Sequence, residues 1–213
     1  MKLLILDAAL GRCTAAIWCD GVVLDARVAE VDRGHAALLP GMVSAVGVGG
    51  IDGVAVTVGP GSFTGLRASI SLAQGVSGGL GVRLVGVGVA EALVEAVVGV
   101  GRMVWVAIDS RRGRVFLVRD GVISVVGVDG LPLAGRGGRV AVAGDAAIAV
   151  VSRMAARGDD VMLTDARRPA AWAIGAVAAR RLAGGLAAIS VQPVYVDPPE
   201  AKLPAGGLRP APR

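Results

Sequence analysis

Histidine, cysteine and aromatic residues are scarce in this chain of 213 residues. It has one histidine and two cysteines, and three Trp, two Phe and one Tyr make up its aromatic content. A single histidine excludes a two-histidine metal site, and two cysteines without histidine neighbours supply too few ligands for a zinc centre. So few rings also leave little capacity for stacking the bases of single-stranded nucleic acid.

The two thiols, Cys13 and Cys19, lie six positions apart around a predicted strand. Residues of one strand at that separation are too far apart to form a disulfide. We therefore predict two reduced cysteines, as is usual in a cytosolic protein.

Long hydrophobic runs are absent as well. The uncharged stretch 36–51 is broken by Pro40 and by several glycines, so it does not have the length and continuity of a membrane span. Only four apolar residues separate Lys2 from Asp7, which is too few for the apolar region of a secretory signal. We expect a soluble cytoplasmic protein that does not contact the membrane.

The net charge is +5, and all but two of the 22 basic residues are arginine. This balance is typical of proteins that work near nucleic acid. The arginines are scattered, however, and a sequence rich in Ala, Gly, Val and Arg can reflect compositional bias alone. The sequence therefore does not predict tight RNA binding by this chain on its own.

The most distinctive segment is a turn between an apolar run, 54–58, and a long run of small and apolar residues, 68–80. This order predicts a buried strand, a tight turn and a helix. Ser62 is the predicted N-cap of that helix. The turn consists of Gly59, Pro60, Gly61, Ser62, Phe63, Thr64 and Gly65, and Leu66 and Arg67 follow it.

A phosphate-binding role for this turn fails three sequence tests. A Walker loop requires Gly-Lys-Ser/Thr, and no lysine occurs between Lys2 and Lys202. A dinucleotide-binding loop requires a third glycine where Thr64 stands, and a nucleophile elbow requires glycines where Pro60 and Thr64 stand. We predict a structural or partner-facing turn, with no cofactor.

The two halves of the chain begin alike. An apolar run ends at Asp7 and a second one ends at Asp109, and each is followed by a hairpin with an Asp-Gly turn. The repetition predicts a duplicated unit, with the boundary in residues 99–102. We predict an N-terminal subdomain at 1–100, a smaller second subdomain at 101–197 and a flexible tail rich in Pro and Gly at 198–213.

Four segments resemble one family. They are GPGSFTGLR at 59–67, His35 followed five positions later by Pro40, the segment 109–116, and QPVYV at 192–196. They are similar to the TsaB family of bacterial tRNA threonylcarbamoyladenosine biosynthesis proteins, in the actin-like superfamily. The resemblance implies an α/β, actin-like (ribonuclease H-like) fold of two similar subdomains, each a mixed sheet flanked by helices.

The resemblance also implies a function. The chain would be a non-catalytic subunit that binds and activates TsaD, with TsaE as a third member, for transfer of threonylcarbamoyl to the adenosine adjacent to the anticodon. Catalytic residues, metal and cofactor would be absent from this chain, and tRNA would be reached only through the complex. Two alternatives stay open: an actin-like ATP-dependent kinase or ATPase with Asp7 and Asp109 arranging Mg²⁺, and a homodimeric scaffold.

The chain departs from the family's pattern at two places. Ala8 and Leu10 stand in the first hairpin loop where the family usually has threonine, and neither side chain can donate a hydroxyl to phosphate. Asp197 follows the QPVYV segment in place of the family's usual arginine. The first departure weakens the kinase alternative further.

Two predicted helices, 36–43 and 66–80, each carry apolar residues on more than one stripe. A surface helix needs only one apolar face, so the second stripe is covered either by the rest of the chain or by a partner. The family resemblance favours a partner, and it places Met42 and Ile70 at the interface rather than in the core. The predicted interface comprises His35, Leu38, Leu39, Met42, Leu66, Arg67, Ile70 and Gln74.

Overall fold

The structure is a computed structural model, and it describes residues 1–31, 34–135 and 138–196. Its first half forms a five-stranded mixed sheet with three helices. The elements in chain order are β1 (Lys2–Asp7), β2 (Arg12–Cys19), β3 (Val22–Glu30), α1 (His35–Val46), β4 (Gly53–Gly59), α2 (Phe63–Leu80), β5 (Arg83–Gly88) and α3 (Val89–Glu95).

The second half forms another five-stranded sheet, with two helices. Its elements are β6 (Met103–Asp109), β7 (Val115–Arg119), β8 (Val122–Val126), β9 (Val140–Ala143), α4 (Ala147–Ala156), β10 (Val161–Leu163) and α5 (Ala171–Leu182).

The two sheets have the same topology. The strand order is β3-β2-β1-β4-β5 in the first and β8-β7-β6-β9-β10 in the second. In each sheet the first three strands pair antiparallel and the remaining strands pair parallel. The duplication predicted from the repeated strand-Asp-hairpin pattern is therefore confirmed.

The central strand β1 is buried on both faces, which explains its continuous apolar sequence. Leu4 and Leu6 belong to the cluster that includes residues of α1 and α2, whereas Leu3 and Ile5 belong to the cluster that includes residues of α5. Helices on both faces thus sandwich the first sheet. Because β1 and β6 are the central strands of two sheets with the same topology, the β1–β2 and β6–β7 hairpin loops lie at equivalent ends of their sheets.

Helix α5 packs on the first sheet although it follows the second one in sequence. Ile174 and Val177 lie in the same core cluster as Leu3 and Ile5. At Gly175 an added Cβ would lie 2.4 Å from the ring of Trp18 on β2, so only glycine allows this approach. The predicted division near residue 100 stays a prediction. It assigns α5 to the second subdomain, whereas α5 packs on the first sheet.

The sequence pattern predicts helices over 145–156 and 169–184, with Pro169 as the first residue of the second, and both starts need correction. Helix α4 begins at Ala147 rather than at Asp145, whose carboxylate instead accepts a hydrogen bond from the backbone N–H of Asp109 at 2.8 Å. Helix α5 begins at Ala171, so Pro169 is not its first residue. The short strand β10 was not predicted, and the predicted tail at 198–213 lies outside the described residues.

Two further findings concern the predictions about the cysteines and about membrane spans. Cys13 and Cys19 are both free thiols, as predicted. Within the described part of the chain, no helix combines the length and the hydropathy needed to cross a membrane.

Candidate functional site

The motif turn, residues 59–65, joins β4 to α2 and forms the N-terminus of that helix. Gly59, the last residue of β4, has φ of 115°, in the region that favours glycine, and the Gly59–Pro60 peptide is cis. The hydroxyl of Ser62 accepts a hydrogen bond from the backbone N–H of Gly65 at 3.3 Å. The predicted N-cap is therefore confirmed.

The first turn of α2 lies directly against the loop between β1 and β2. The backbone N–H of Ser62 donates to the carbonyl of Ala9 at 2.8 Å. A Cβ added to Gly61 would lie 2.5 Å from the carbonyl oxygen of Ala9, and a Cβ added to Gly65 would lie 1.9 Å from the carbonyl oxygen of Ala8. Two glycines four residues apart thus let a helix and a hairpin loop touch through their backbones. This side of the hairpin loop is occupied by the chain itself.

Asp7, at the end of β1, is fully buried. Its carboxylate accepts hydrogen bonds from the hydroxyl of Thr57 at 2.6 Å and from the backbone N–H of Ala9 at 3.2 Å. Burial raises the pKa of this carboxyl. Asp7 is thus a structural group under the loop, and its burial argues against the alternative in which it arranges Mg²⁺.

The corresponding residue of the second sheet has a different setting. Asp109 is partly buried and accepts a hydrogen bond from the backbone N–H of Arg111 at 2.8 Å. Its neighbour Asp145 has a raised pKa, and burial is the main cause. Across residues 1–31, 34–135 and 138–196 there is no group of three or more His, Cys, Asp or Glu side chains that could hold a metal ion.

The C-terminal segment 191–196 packs on the motif turn. The backbone N–H of Val194 donates to the carbonyl of Val58 at 2.7 Å. The ring of Tyr195 lies 5.3 Å from that of Phe63, and the guanidinium of Arg67 lies 5.0 Å from the same ring on α2. Two segments that resembled the family separately in sequence therefore form one surface.

This surface borders a cleft of about 1270 Å³ between the two halves of the molecule. The motif turn and the C-terminal segment line one side of the cleft, and Asp109, Ser110, Arg111 and Arg112 line the other. Phe63 and Tyr195 are each about half exposed at this cleft.

Four residues of the predicted interface are not accessible. His35 and Leu39 of α1, and Leu66 and Ile70 of α2, are each at most 4% exposed. Their assignment to an open interface is wrong, because Leu66 and Ile70 lie in the main core cluster, Leu39 lies in a smaller one, and His35 is 1% exposed. Neither ring nitrogen of His35 has a hydrogen-bond partner within the described residues.

The second apolar stripe of α2 is covered largely by α1. Met42 of α1 and Leu72 of α2 both pack against the small cluster formed by Ala8, Cys13 and Leu39. The two helices contact each other, so the second stripe is mainly an internal seam. The prediction that Ile70 lies at the interface rather than in the core is wrong, whereas half-buried Met42 lies at the edge of the seam.

The outer faces of α1 and α2 remain exposed, and Leu38 lies there, whereas Arg67 and Gln74 line the cleft. Leu38 is 39% exposed, and Arg67 and Gln74 are also exposed. Small residues surround them on both helices. These are Ala36, Ala37, Gly41, Ser44 and Ala45 on α1, and Ser71, Gly75, Gly78 and Gly79 on α2.

Two sheets of identical topology, with a cleft between them, define an actin-like protein of two similar subdomains. A family model described as "TsaD: tRNA N6-adenosine threonylcarbamoyltransferase" matches residues 32–158, which is more than half of the chain. The chain belongs to this family.

Comparison with individual proteins confirms the resemblance to TsaB. The chain is 34% identical over 127 residues to the tRNA threonylcarbamoyladenosine biosynthesis protein TsaB of Escherichia coli (strain K12). That alignment covers 54% of the chain and 53% of the relative, so the chain spans about half the length of the curated relative it matches.

Two solved structures from Pseudomonas aeruginosa share the whole fold. One is YeaZ, with a TM-score of 0.71, and the other is an uncharacterized protein with similarity to the peptidase YeaZ, with a TM-score of 0.73. Each is 25% identical to this chain, and each comparison covers 92% of this chain and 99% of the other. They confirm the predicted actin-like fold of two subdomains.

Sequence reasoning missed two features of this region. One is the contact between Phe63 and Tyr195, which joins residues more than a hundred positions apart and has no local signal. The other is the approach of α2 to Ala8 and Ala9. The sequence signal for it is the presence of glycine at Gly61 and Gly65, because a residue without a Cβ permits a close approach of backbones.

Proposed function

We propose that this chain is a non-catalytic subunit of a complex that synthesises threonylcarbamoyladenosine in tRNA. It binds a TsaD-type protein as a heterodimer, and that partner performs the transfer to the adenosine adjacent to the anticodon. A TsaE-type protein completes a ternary complex, and the chain reaches tRNA only through the assembly, in the cytoplasm. Family membership and the likeness to E. coli TsaB support the reaction.

The observation that carries the proposal is the set of exposed glycines on α1 and α2. Nothing lies within 4 Å of a Cβ added at Gly41, Gly75, Gly78 or Gly79. A helical glycine costs about 0.5–1 kcal/mol relative to alanine, and no packing among the described residues requires these four. A partner helix that approaches closely would require them. The small side chains around them favour such an approach.

A second copy of the chain could use the same face, so a homodimer in isolation is the second candidate. Both assemblies would bury Leu38 and the helical glycines. Sedimentation of the purified chain, alone and with its TsaD-type partner, separates them. In the proposed function, the partner converts any homodimer into a heterodimer.

We expect Leu38→Glu and Gly78→Arg to abolish binding to the TsaD-type protein of the same organism. The first would bury an unpaired carboxylate, at about 3–5 kcal/mol, which corresponds to a loss of affinity of about a hundredfold or more. The second would hold the two helices apart. Calorimetry with the two purified proteins measures both effects.

Val122→Glu is the matched control, because Val122 is 69% exposed on β8 of the other subdomain. It should bind like the unmodified chain. Normal binding by both α1 and α2 variants would refute this interface, and loss of binding in the control as well would show that the effect is not specific to the surface.

We expect the isolated chain not to hydrolyse ATP in the presence of Mg²⁺. Ala8 and Leu10 offer no hydroxyl to a phosphate, the loop that carries them is packed against α2, and Asp7 is buried. Phosphate release by the purified chain measures turnover. Turnover that Asp7→Asn removes would favour the kinase alternative instead.

A further inference from the structure

A second cavity, of about 460 Å³, lies where the N-terminus of α5 meets β2 and β3 of the first sheet. Arg12 and Thr14 of β2 line it together with Arg167, Arg168 and Trp172. None of these residues belongs to the motif turn, to the cleft described above or to the outer faces of α1 and α2.

The N-terminus of α5 opens into this cavity without a side-chain cap. Its N-cap position is Ala170, which has no side-chain acceptor, and Ala171 and Trp172 of the first turn line the cavity. The first N–H groups of a helix lack partners within that helix, and they carry the positive end of its dipole. An acceptor with negative charge is therefore favoured there.

Unsatisfied polar atoms at the same place are an independent observation. Thr14 is 2% exposed, and its hydroxyl has no hydrogen-bond partner within the described residues. The Nε of Arg12 is also buried without a partner in that part of the chain. Buried polar groups of this kind normally have a partner, so a ligand with several acceptor atoms would explain both.

The charge of the cavity has the sign that such a ligand needs. Arg12 donates to the carbonyl of Pro169 at 2.5 Å, and Arg167 donates to the carbonyl of Thr164 at 2.9 Å. Both contacts are to neutral backbone oxygens. Arg168 is paired with Glu30, and exposed Asp165 is the carboxylate among the lining residues. The lining arginines therefore outnumber the lining carboxylate, although the charge of Arg12 also acts on the buried carboxylate of Asp7, which lies opposite Thr14 in the β1–β2 pair.

We propose that this cavity binds a mononucleotide. Its phosphate would lie at the N-terminus of α5 and accept hydrogen bonds from Thr14, Arg12 and Arg167, and its base would stack on Trp172, which is 44% exposed at the rim. The volume is within the range of small-ligand sites, which is roughly 300–1,000 Å³. The proposal does not depend on the proposed function.

The probe is AMP, and the readout is tryptophan fluorescence. Trp18 and Trp105 are each 4% exposed, so Trp172 is the tryptophan that a ligand can reach directly. AMP is expected to quench the emission saturably, inorganic phosphate to compete with it, and adenosine to bind at least about tenfold more weakly, since it lacks the charged group.

Two variants test the contacts. Arg167→Gln and the nearly isosteric Thr14→Val are each expected to weaken AMP binding by about tenfold or more, at unchanged melting temperature for Arg167→Gln. Arg153→Gln is the control, because Arg153 is an exposed arginine on α4 away from this cavity. It should bind AMP normally.

Three results would overturn the proposal. They are an absence of saturable quenching by AMP, an equal loss of binding in the Arg153→Gln control, and binding of an oligoadenylate strand without binding of AMP. The last result would identify a surface for RNA strands rather than a mononucleotide site. Calorimetry with AMP provides the same answer without relying on fluorescence.

Discussion

Gly65→Ala is expected to destabilise the chain by about 3 kcal/mol or more. Alanine is a better helix former than glycine, so the helix itself would gain about 1 kcal/mol. The new Cβ would, however, lie 1.9 Å from the carbonyl oxygen of Ala8. Overpacking typically costs about 1–3 kcal/mol and sometimes more, and here the obstacle is backbone that no rotamer change can relieve. Denaturant unfolding measures the difference.

Gly75→Ala is the matched control in the same helix. Nothing lies within 4 Å of its added Cβ, so only the gain in helix propensity remains, and stability is expected to rise by about 0.5–1 kcal/mol. Equal effects of the two substitutions would contradict the contact between α2 and the β1–β2 loop. Opposite signs would support it.

Ile70→Glu is expected to lower the melting temperature by about 6–20 °C. Ile70 is 4% exposed in the main core cluster. A carboxylate left buried without a partner costs about 3–5 kcal/mol, and each kcal/mol lowers the melting temperature of a chain of this size by about 2–4 °C. Thermal unfolding followed by circular dichroism measures the change.

Leu38→Glu places the same side chain on the neighbouring helix at a position that is 39% exposed. The carboxylate stays in water in the free chain, so stability should change by no more than about 0.5 kcal/mol. The effects of Ile70→Glu and Leu38→Glu on thermal unfolding would then distinguish a core position from a surface position on these helices. The effect of Leu38→Glu on binding to the partner would test the surface alone. Normal melting of Ile70→Glu would mean that Ile70 is not a core residue.

Many elements of the fold could be predicted from the sequence because their signals are local. Apolar runs that end at Asp7 and Asp109 indicated the central strands, and Asp-Gly pairs marked both hairpin turns. Ser62 indicated the start of α2, and its hydroxyl does cap that helix. The repetition of this pattern was sufficient to predict two similar sheets.

The candidate site was less accessible to sequence reasoning. Periodicity showed that α1 and α2 carry extra apolar stripes, but periodicity does not show what covers a stripe. Ile70 and Leu38 are both apolar residues on these helices, and only the way the helices pack on the sheet and on each other makes one a core residue and the other a surface residue.

The sequence by itself determined the duplicated strand pattern and the capped, glycine-rich turn, because hydrophobic period and turn chemistry act over a few residues. Tertiary structure alone decided that α5 returns to the first sheet, that Tyr195 meets Phe63 and that Thr14 lies beside the start of α5. Each of these contacts joins residues more than eighty positions apart. They depend on how whole faces of helices and sheets are buried, which a local sequence pattern does not predict.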